Sequence, residues 1–409
     1  MSLDIEKIGD VCNVGDGAHA SIKRTLNGIP YYTSKNFKIE GIDLSKVDYI
    51  SEEDFKKHFR SNSNAITKPI KDDILLSIIG SIGAPHLVKD EDDFGLSSSV
   101  SILRPNVSKI EPQFLYYWIK SDDFQNAVHQ IKSGVAQSFL SLSMIKQLPV
   151  IYPKSLETQK RIASILSNYD DLIENNLKRI KLLEETAQNI YKEWFVNFRF
   201  PNYEHTAFDA ESGLPVGWEM KKMIELMNIS GGGTPSTKIP NYWDGEVIWF
   251  SPTDLGKNSS LMLLDSSKKI TREGLAKSSA KLLPPMTILM SSRATIGLFG
   301  MINKECSTNQ GFINIIPNEI FYRYYILQNL IGRKNEIIGK ATGTTFKEIS
   351  KGVFNTMTIM KPKSDVVKLY FDFADSIFKQ IEIIEIQNQK LKEARDILLP
   401  RLMNRTIEV

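Results

Sequence analysis

The chain has 409 residues, of which 42% are hydrophobic and 24% are charged, and its formal net charge is +3 at pH 7. This length predicts two or more domains, because a single hydrophobic core stops growing at roughly 250–300 residues. The near-neutral charge excludes a polycation that coats nucleic acid through bulk charge alone. No apolar leader and no run of about 18 apolar residues occurs, and the two cysteines lie far apart. We therefore expect a cytoplasmic protein with no membrane span and no disulfide framework.

Four blocks of the sequence occur twice in the same order, 208 to 214 residues apart. In one pair, "ILLSIIGSIG" begins at Ile74 and "ILMSSRATIG" begins at Ile288. The other pairs are "SSSVSILRPN" with "TNQGFINIIPN", "YYWIKSDDF" with "YYILQNLIG", and "SGVAQSFLSLSMIKQLPVIYPK" with "TGTTFKEISKGVFNTMTIMKPK". This period is far longer than that of a solenoid repeat, so each unit is predicted to be a whole domain followed by a connector.

Each domain is predicted to combine short strands with amphipathic helices. The apolar runs "ILLSII" and "TILMSS" are typical of buried strands. The segments "VSILRP" and "FINIIP" alternate in polarity and stop at Pro105 and Pro317, and "LPVIYP" and "MTIMKP" are predicted to close the domains as strands. The segments "PQFLYYWIKS" and "IFYRYYILQNL" are typical of helices with an aromatic core face.

A heptad pattern follows each domain. Apolar positions recur in alternating steps of four and three residues over 162–194 and over 370–398, which is the spacing of a coiled coil. Neither stretch contains Gly or Pro, and Pro201 and Pro400 are predicted to end the helices.

Asn176 and Asn388 interrupt the two apolar seams. A buried Asn fixes the register of a coiled coil at a cost in stability, whereas an Asn in an exposed layer has no such role. The sequence leaves both alternatives open.

The predicted fold class is α+β, with two mixed α/β domains in tandem repeat separated by two long antiparallel coiled-coil helices with pseudo-two-fold symmetry. The predicted boundaries are 1–153 for the first domain, 154–200 for the first spacer helix, 201–361 for a linker and the second domain, and 362–409 for the second spacer helix. Such a chain suits a protein that recognises two sites a fixed distance apart. It suits a structural coiled-coil scaffold equally well.

Five segments, spread in order along nearly the whole chain, carry a family signature. They are "GDGAHASI", "AQNIYKEWFVNFRFP", "SGLPVGWEMKKM", "SGGGTPSTKIPNYWDGEVIWFSPTDL", and "LPRLMNRTIEV" after "ARDIL". Together they resemble the specificity subunits of type I restriction–modification systems, in which a recognition domain and a helix alternate twice.

The resemblance implies that each domain is a target-recognition domain that reads one half of a bipartite, asymmetric target in double-stranded DNA. It implies that the helices set the spacing and dock two methyltransferase (modification) subunits, which two restriction/translocase subunits join. S-adenosylmethionine, ATP and Mg are then expected on the partner subunits, and no cofactor on this chain. The alternatives are the recognition subunit of a related type II system, or a coiled-coil scaffold without DNA specificity.

The sequence fits none of three catalytic or cofactor-binding patterns: a methyltransferase base-holding segment, a nucleotide-phosphate loop and a histidine metal site. An adenine methyltransferase holds its flipped base with an Asn/Asp-Pro-Pro-aromatic segment, and the nearest string, "LPPM" from Leu283, lacks both ends of it. The segment "SGGGTPST" lacks the Gly-Lys-Ser/Thr ending of a nucleotide-phosphate loop, so it is interpreted as a turn, with contact to the DNA backbone as the alternative. The five histidines are scattered, which suggests no metal site. We expect a chain with no catalytic residues.

Candidate DNA-contacting residues lie in loops that the two domains share, where polar and basic side chains suited to base edges and phosphates occur. In the first domain they are Thr33, Ser34, Lys35, Asn36, Ser77, Ser81 and Gln137. In the second they are Ser251, Thr253, Asp254, Ser292, Arg293, Thr295, Thr344, Thr345 and Lys347. Arg293 suits a bidentate guanine contact, with a salt bridge inside the protein as the alternative. The matched segments 78–81 and 292–295 carry different side chains, as two different half-targets require, although sequence drift also produces such differences.

Aromatic residues around the heptad seams are candidate anchors for the modification subunits, because aromatic side chains dominate interface energetics. They are Trp194, Phe195, Phe198, Phe371 and Phe378. Packing in the core of the protein is the alternative for each of them.

Overall fold

The computed structural model describes residues 3–39, 41–60, 65–90, 93–133, 139–343, 347–404 and 406–409. Two compact units divide the chain, Met1–Leu172 with Leu391–Val409, and Ile173–Lys390. The division falls inside two long helices, so each of these helices contributes one segment to each unit. The domain boundaries expected from the sequence stay predictions.

The first unit contains a domain of short strands and helices. Its elements are β1 (Leu3–Lys7), α1 (Ile8–Val11), β2 (Cys12–Asp16), β3 (Ile29–Tyr32), β4 (Phe37–Lys38), β5 (Gly41–Ile42), β6 (Asp48–Ile50), α2 (Glu52–His58), β7 (Ile74–Ser77), β8 (Pro85–Leu87), β9 (Gly95–Leu96), β10 (Val100–Pro105), α3 (Pro112–Lys120), α4 (Asp122–Ser133), α5 (Leu142–Gln147) and β11 (Pro149–Pro153). An antiparallel sheet has the order β2-β10-β7-β8. Beside it, β1 pairs with β11, and β3 lies between β6 and β9.

The first long helix leads from this domain into the second unit. It is α6 (Leu156–Tyr191), and a π-helical turn at 192–196 follows it. The remaining elements are β12 (Glu219–Lys222), α7 (Met223–Leu226), β13 (Met227–Gly231), β14 (Trp243–Phe250), α8 (Pro252–Lys257), β15 (Met262–Leu263), β16 (Lys268–Ile270), α9 (Arg272–Ala276), β17 (Ile288–Ser291), β18 (Phe299–Ile302), β19 (Ser307–Thr308), β20 (Phe312–Pro317), α10 (Arg323–Gly332), α11 (Lys334–Gly339), α12 (Lys351–Thr356), β21 (Thr358–Lys361) and the second long helix, α13 (Ser364–Met403).

Strand pairing confirms the repeat inferred from the sequence. In the second unit β20 lies between β13 and β17, as β10 lies between β2 and β7 in the first. A second correspondence holds for β14, which pairs antiparallel with β16 and parallel with β19, as β3 does with β6 and β9. The strands and aromatic helices predicted from the matched blocks all form.

In each domain a tyrosine of the aromatic helix, α3 or α10, donates a hydrogen bond to an aspartate of a long helix. In the first unit the Tyr117 hydroxyl donates to Asp170 Oδ2 at 2.8 Å, and in the second unit the Tyr324 hydroxyl donates to Asp375 Oδ1 at 2.9 Å. Burial, together with the neighbouring carboxylate, raises the pKa of both tyrosines, so each hydroxyl keeps its proton and remains a donor.

The heptad positions of the second unit form a buried seam, as predicted. The residues 173–191 of α6 run antiparallel to 364–390 of α13, and the Tyr370 hydroxyl donates to the Ala187 carbonyl at 3.0 Å. Asn176 Nδ2 donates to Asn388 Oδ1 at 2.9 Å, and the two residues are 6% and 1% exposed. Of the two alternatives left open by the sequence, the structure confirms the buried layer. In the first unit, Arg395 of α13 pairs with Asp170 of α6 at 2.5 Å.

Neither long helix ends at the proline predicted to end it. The first helix leaves regular α geometry at residue 192, before Pro201. Pro400 does not end the second helix, because α13 continues through it to Met403. A proline removes the one hydrogen bond that its own amide would donate to the preceding turn, which is a small loss close to a helix end. Leu402 and Met403 are buried in the core of the first unit, and this burial favours the last turn.

Candidate nucleic-acid interface

The loop between β7 and β8 is a tight turn held by its own backbone. The Ser77 amide donates to the Ala84 carbonyl at 3.0 Å, and the Gly83 amide donates back to the Ser77 carbonyl at 2.9 Å. The Ser77 hydroxyl donates to the Ile79 carbonyl at 3.0 Å. Gly80 has φ +72°, a left-handed conformation that glycine adopts without strain. The predicted DNA-binding residue Ser77 is therefore buried and already bonded inside this turn.

The loop between β17 and β18 repeats this geometry. Ser291 exchanges hydrogen bonds with Leu298 and Gly297 at 2.9 and 3.0 Å, and its hydroxyl donates to the Thr295 carbonyl at 2.6 Å. Ala294 occupies the place of Gly80 and has φ +60°. A non-glycine residue in this region costs roughly 1–2 kcal/mol, so the surrounding hydrogen bonds enforce the shape of the turn.

The predicted residues that follow β3 start a short 3₁₀ helix. The Thr33 amide donates to Asn36 Oδ1 at 3.0 Å, and Asn36 Nδ2 donates to the carbonyls of Asp43 and Lys46 at 3.1 and 2.8 Å. The Asn36 amide group is thus occupied within the protein. Lys35 is exposed, Thr33 is half-buried, and Ser34 is buried.

The corresponding residues after β14 cap α8. The Ser251 amide and hydroxyl donate to Asp254 Oδ2 at 2.7 and 2.6 Å, and the Ser267 amide donates to Asp254 Oδ1 at 3.0 Å. Burial raises the pKa of Asp254, but these hydrogen bonds outweigh it and hold the pKa below its usual value. The carboxylate is therefore a structural acceptor in the free protein, whereas Thr253 beside it is exposed.

In each unit a third loop, at 139–140 in the first and at 347–349 in the second, is hydrogen-bonded to the turn described above. The Leu140 amide donates to the Ile78 carbonyl, and the Ile349 amide donates to the Ser292 carbonyl, both at 3.0 Å. The predicted residues Gln137, Thr344 and Thr345 lie outside the described residues. Lys347 is described and exposed.

In each unit the three loops meet. In the first, a Cβ placed on Gly80 would lie 4.0 Å from Ser34 Oγ. In the second, a Cβ placed on Gly311 would lie 3.1 Å from Pro252 Cγ and 3.2 Å from Arg293 Nε. We name the residues 33–36, 77–83 and 139–140 the first loop cluster. The residues 251–254, 291–297 and 347–349 form the second loop cluster.

Arg293 lies half-buried in the second loop cluster. Its backbone bridges to Glu348, but among the residues that the structure describes no carboxylate forms an ion pair with its side chain. The salt bridge considered as its alternative role is therefore not seen within that part of the chain. Thr295 beside it is exposed, while Ser292 is buried. In the first loop cluster Ser81 is half-buried.

Sequence reasoning missed two residues of the first loop cluster, Ile79 and Phe139. Both are apolar and yet exposed, at 44% and 41%, and they are paired by an antiparallel bridge. Their side chains carry no hydrogen-bond donor or acceptor that would mark them as DNA contacts, but Ile79 is the residue that the repeat aligns with Arg293.

The five candidate anchor residues separate by burial. Phe195 and Phe378 lie inside the core of the second unit, so their side chains are not at its surface. The other three are half-buried and pack against aromatic rings: Trp194 lies 6.0 Å from Tyr370, Phe198 lies 5.8 Å from Trp218, and Phe371 lies 5.4 Å from Tyr324, between ring centroids.

The described residues contain no group of three or more His, Cys, Asp or Glu side chains placed to hold a metal ion. Across the same residues, no helix combines the length and apolar character that crossing a membrane requires.

Comparison with known proteins agrees with this architecture. The specificity subunit of the type I restriction enzyme HindI from Haemophilus influenzae is 25% identical over 398 residues, covering 82% of this chain and 86% of the relative. That of the type I enzyme MjaIX from Methanocaldococcus jannaschii is 26% identical over 435 residues, covering 98% and 92%. A crystal structure of a type I restriction–modification S subunit from M. genitalium has a TM-score of 0.56 at 14% identity, covers 98% of this chain and 96% of its own, and shows a shared fold.

A family model described as the type I restriction modification DNA specificity domain matches the chain twice, at residues 3–185 and 215–393. The two matches cover both strand-rich domains and most of both long helices. This chain therefore belongs to the type I restriction modification DNA specificity family.

Proposed function

We propose that the chain is the DNA specificity subunit of a type I restriction–modification complex, and that each loop cluster reads one half of a bipartite, asymmetric target in double-stranded DNA. The observation that carries the proposal is the repetition of one loop geometry with different side chains. The same backbone hydrogen bonds shape the turns at 77–84 and 291–298, yet the residues at their tips differ. A shared backbone framework with different side chains at the tip suits two different half-targets.

The exposed candidates supply contacts of both kinds that DNA recognition needs. Lys35 and Lys347 suit phosphate oxygens, which fix the position of a protein on the duplex. Thr253 and Thr295 present hydroxyls that suit base edges. Asn36 and Asp254 hold their own loops in the free protein, so a base contact by either would first have to break those bonds.

The second part of the proposal concerns the two long helices. They set the spacing between the half-targets and dock two modification subunits, and two restriction/translocase subunits join that complex. This chain is non-catalytic and acts in the cytoplasm, with S-adenosylmethionine, ATP and Mg bound by the partner subunits. Trp194, Phe198 and Phe371 are the anchor candidates whose rings are partly exposed.

Methylation mapping tests the proposal with the whole chain. The chain is expressed with its modification subunit in a host that lacks DNA methylation, and modified adenines are located by sequencing. We expect one split, asymmetric motif. Exchange of residues 1–153 for the same domain of a relative with another target should change one half of the motif and leave the other unchanged. Purified complex that contains both subunits and methylates no defined sequence would contradict the proposal, and so would an exchange that changes both halves.

A further inference from the structure

The two loop clusters place chemically opposite side chains at one matched position. Ile79 and Arg293 are both the second residue after the buried serine of their turn, and the backbone of each forms an isolated bridge to the third loop, Ile79 to Phe139 and Arg293 to Glu348. The residues before them are held alike, since the Ile78 amide donates to the Ser99 carbonyl and the Ser292 amide to the Gly311 carbonyl.

In the first loop cluster this position is apolar and exposed. Residues paired directly across an antiparallel bridge have Cβ atoms about 4.5–5.5 Å apart, so Ile79 and Phe139 form one apolar surface. Neither side chain can accept or donate a hydrogen bond. The only apolar group on a base edge in the major groove is the 5-methyl group of thymine, and apolar side chains recognise it by contact.

In the second loop cluster the same position carries a cation. The Arg293 guanidinium has no carboxylate partner among the described residues, and its Nε lies close to the backbone at Gly311. The next residue, Ala294, keeps a left-handed backbone at φ +60° although it is not glycine. Such strain persists only where the surroundings impose it, and it occurs often at functional sites. A guanidinium on a fixed turn suits the paired O6 and N7 acceptors of guanine.

We propose that this matched position is a specificity determinant, at which Ile79, supported by Phe139, recognises the methyl group of a thymine in one half-target and Arg293 recognises a guanine in the other. The inference rests on the proposed function and deepens it by assigning a base type to one position of each half-target.

The first test uses methylation mapping of complexes that carry single substitutions. Ile79→Ala should relax one thymine of one half-target and leave the other half unchanged. Arg293→Ala should relax one guanine of the opposite half-target and lower methylation of sites with that guanine by at least about fivefold. The matched controls are Ile70→Ala, which truncates an isoleucine of the same 44% exposure outside the loop cluster, and Arg272→Ala, which removes an exposed arginine of the second unit. Both controls should keep the full motif.

The second test leaves the protein unchanged, so it does not depend on how a variant folds. Deoxyuridine lacks only the 5-methyl group of thymidine, and it replaces the thymine that Ile79→Ala relaxes, or each thymine of the motif in turn. The wild-type complex should bind one such duplex about fourfold more weakly, since one buried methyl group contributes about 0.8 kcal/mol. The Ile79→Ala complex should bind that duplex and the thymine duplex equally.

Failure of this inference is distinct from failure of the proposed function. A wild-type complex that yields no split motif overturns both. A split motif that Ile79→Ala and Arg293→Ala leave intact, or that binds equally well with deoxyuridine at every thymine, overturns the inference and leaves the proposed function standing. Relaxation of the same half-target by both variants also overturns it.

Discussion

Glu184 shows how a single side chain makes the stability of the second unit depend on pH. It projects from α6, and the Leu261 amide donates to its Oε1 at 2.6 Å. Burial raises the pKa of Glu184 to about 7, the Glu385 carboxylate adds to the rise, and the hydrogen bond from Leu261 opposes it. At a pH between the ordinary pKa of 4.5 and the raised pKa of about 7, Glu184 is protonated more often in the folded protein than in the unfolded chain. The free energy of unfolding therefore falls as the pH rises through this interval, and the whole loss is present above it.

Replacement of Glu184 by glutamine should remove this dependence, because the amide oxygen still accepts the bond from Leu261 and no charge is buried. We expect Glu184→Gln to raise the free energy of unfolding at pH 8 by about 2 kcal/mol, a value reduced to allow for partial exposure, and to change it little at pH 4. Urea unfolding at the two pH values measures the difference. Glu185→Gln, which alters the exposed neighbouring carboxylate, is the control and should shift stability by less than about 0.5 kcal/mol at either pH. An equal effect of Glu184→Gln at both pH values would contradict the assignment.

Single residues also mark the limit of prediction from sequence. The loops that meet in each unit were found from their repeated pattern, and the structure brings them together. Their side chains were harder to assign, because composition does not reveal whether a polar group is already bonded inside the protein. Asn36 and Asp254 look like readers of DNA but hold capping bonds, whereas Ile79 looks like a core residue but is exposed. The distinction depends on three-dimensional neighbours that no local pattern encodes.

At the scale of elements, the paired long helices of the second unit depend on one polar layer. Asn176 and Asn388 are buried in an otherwise apolar seam, and Asn388 Nδ2 has no partner among the described residues. Asn388→Ala should lower the free energy of unfolding by about 1–3 kcal/mol, because it removes the acceptor of a buried amide. The double replacement Asn176→Leu with Asn388→Leu should restore or exceed wild-type stability, since neither asparagine amide is then left buried. Urea unfolding measures both. The exposed Asn189→Ala is the control, and a double variant as unstable as Asn388→Ala would count against a polar layer that costs stability.

Element boundaries were less predictable than element identities. The heptad spacing predicted both long helices, because their periodic burial extends over many turns. Their ends depend on single contacts. The first helix leaves regular α geometry at residue 192 and not at Pro201, while the second passes through Pro400 because the residues beyond it enter a core. Proline predicts a helix end only where the following turn has nothing to bury.

At the scale of the whole molecule, the proposed function makes the target depend on helix length. Seven residues inserted between Leu172 and Ile173 and seven between Lys390 and Leu391 would lengthen both long helices by one heptad, where the chain divides into its two units. The insertions preserve the heptad pattern and all contacts within each unit. Each adds about 10 Å of helix, the length of about three base pairs.

We expect this double insertion to lengthen the unspecified spacer of the methylated motif by about three bases and to leave both half-targets unchanged, because neither loop cluster is altered. Methylation mapping measures spacer and half-targets in one experiment. Seven Gly and Ser residues inserted after Glu211, in the exposed turn at 209–213, form the control and should leave the whole motif unchanged. A complex that carries both helix insertions and still methylates the wild-type motif would show that something other than helix length sets the spacing. A shift caused equally by the control insertion would assign the spacing to the linker between the domains.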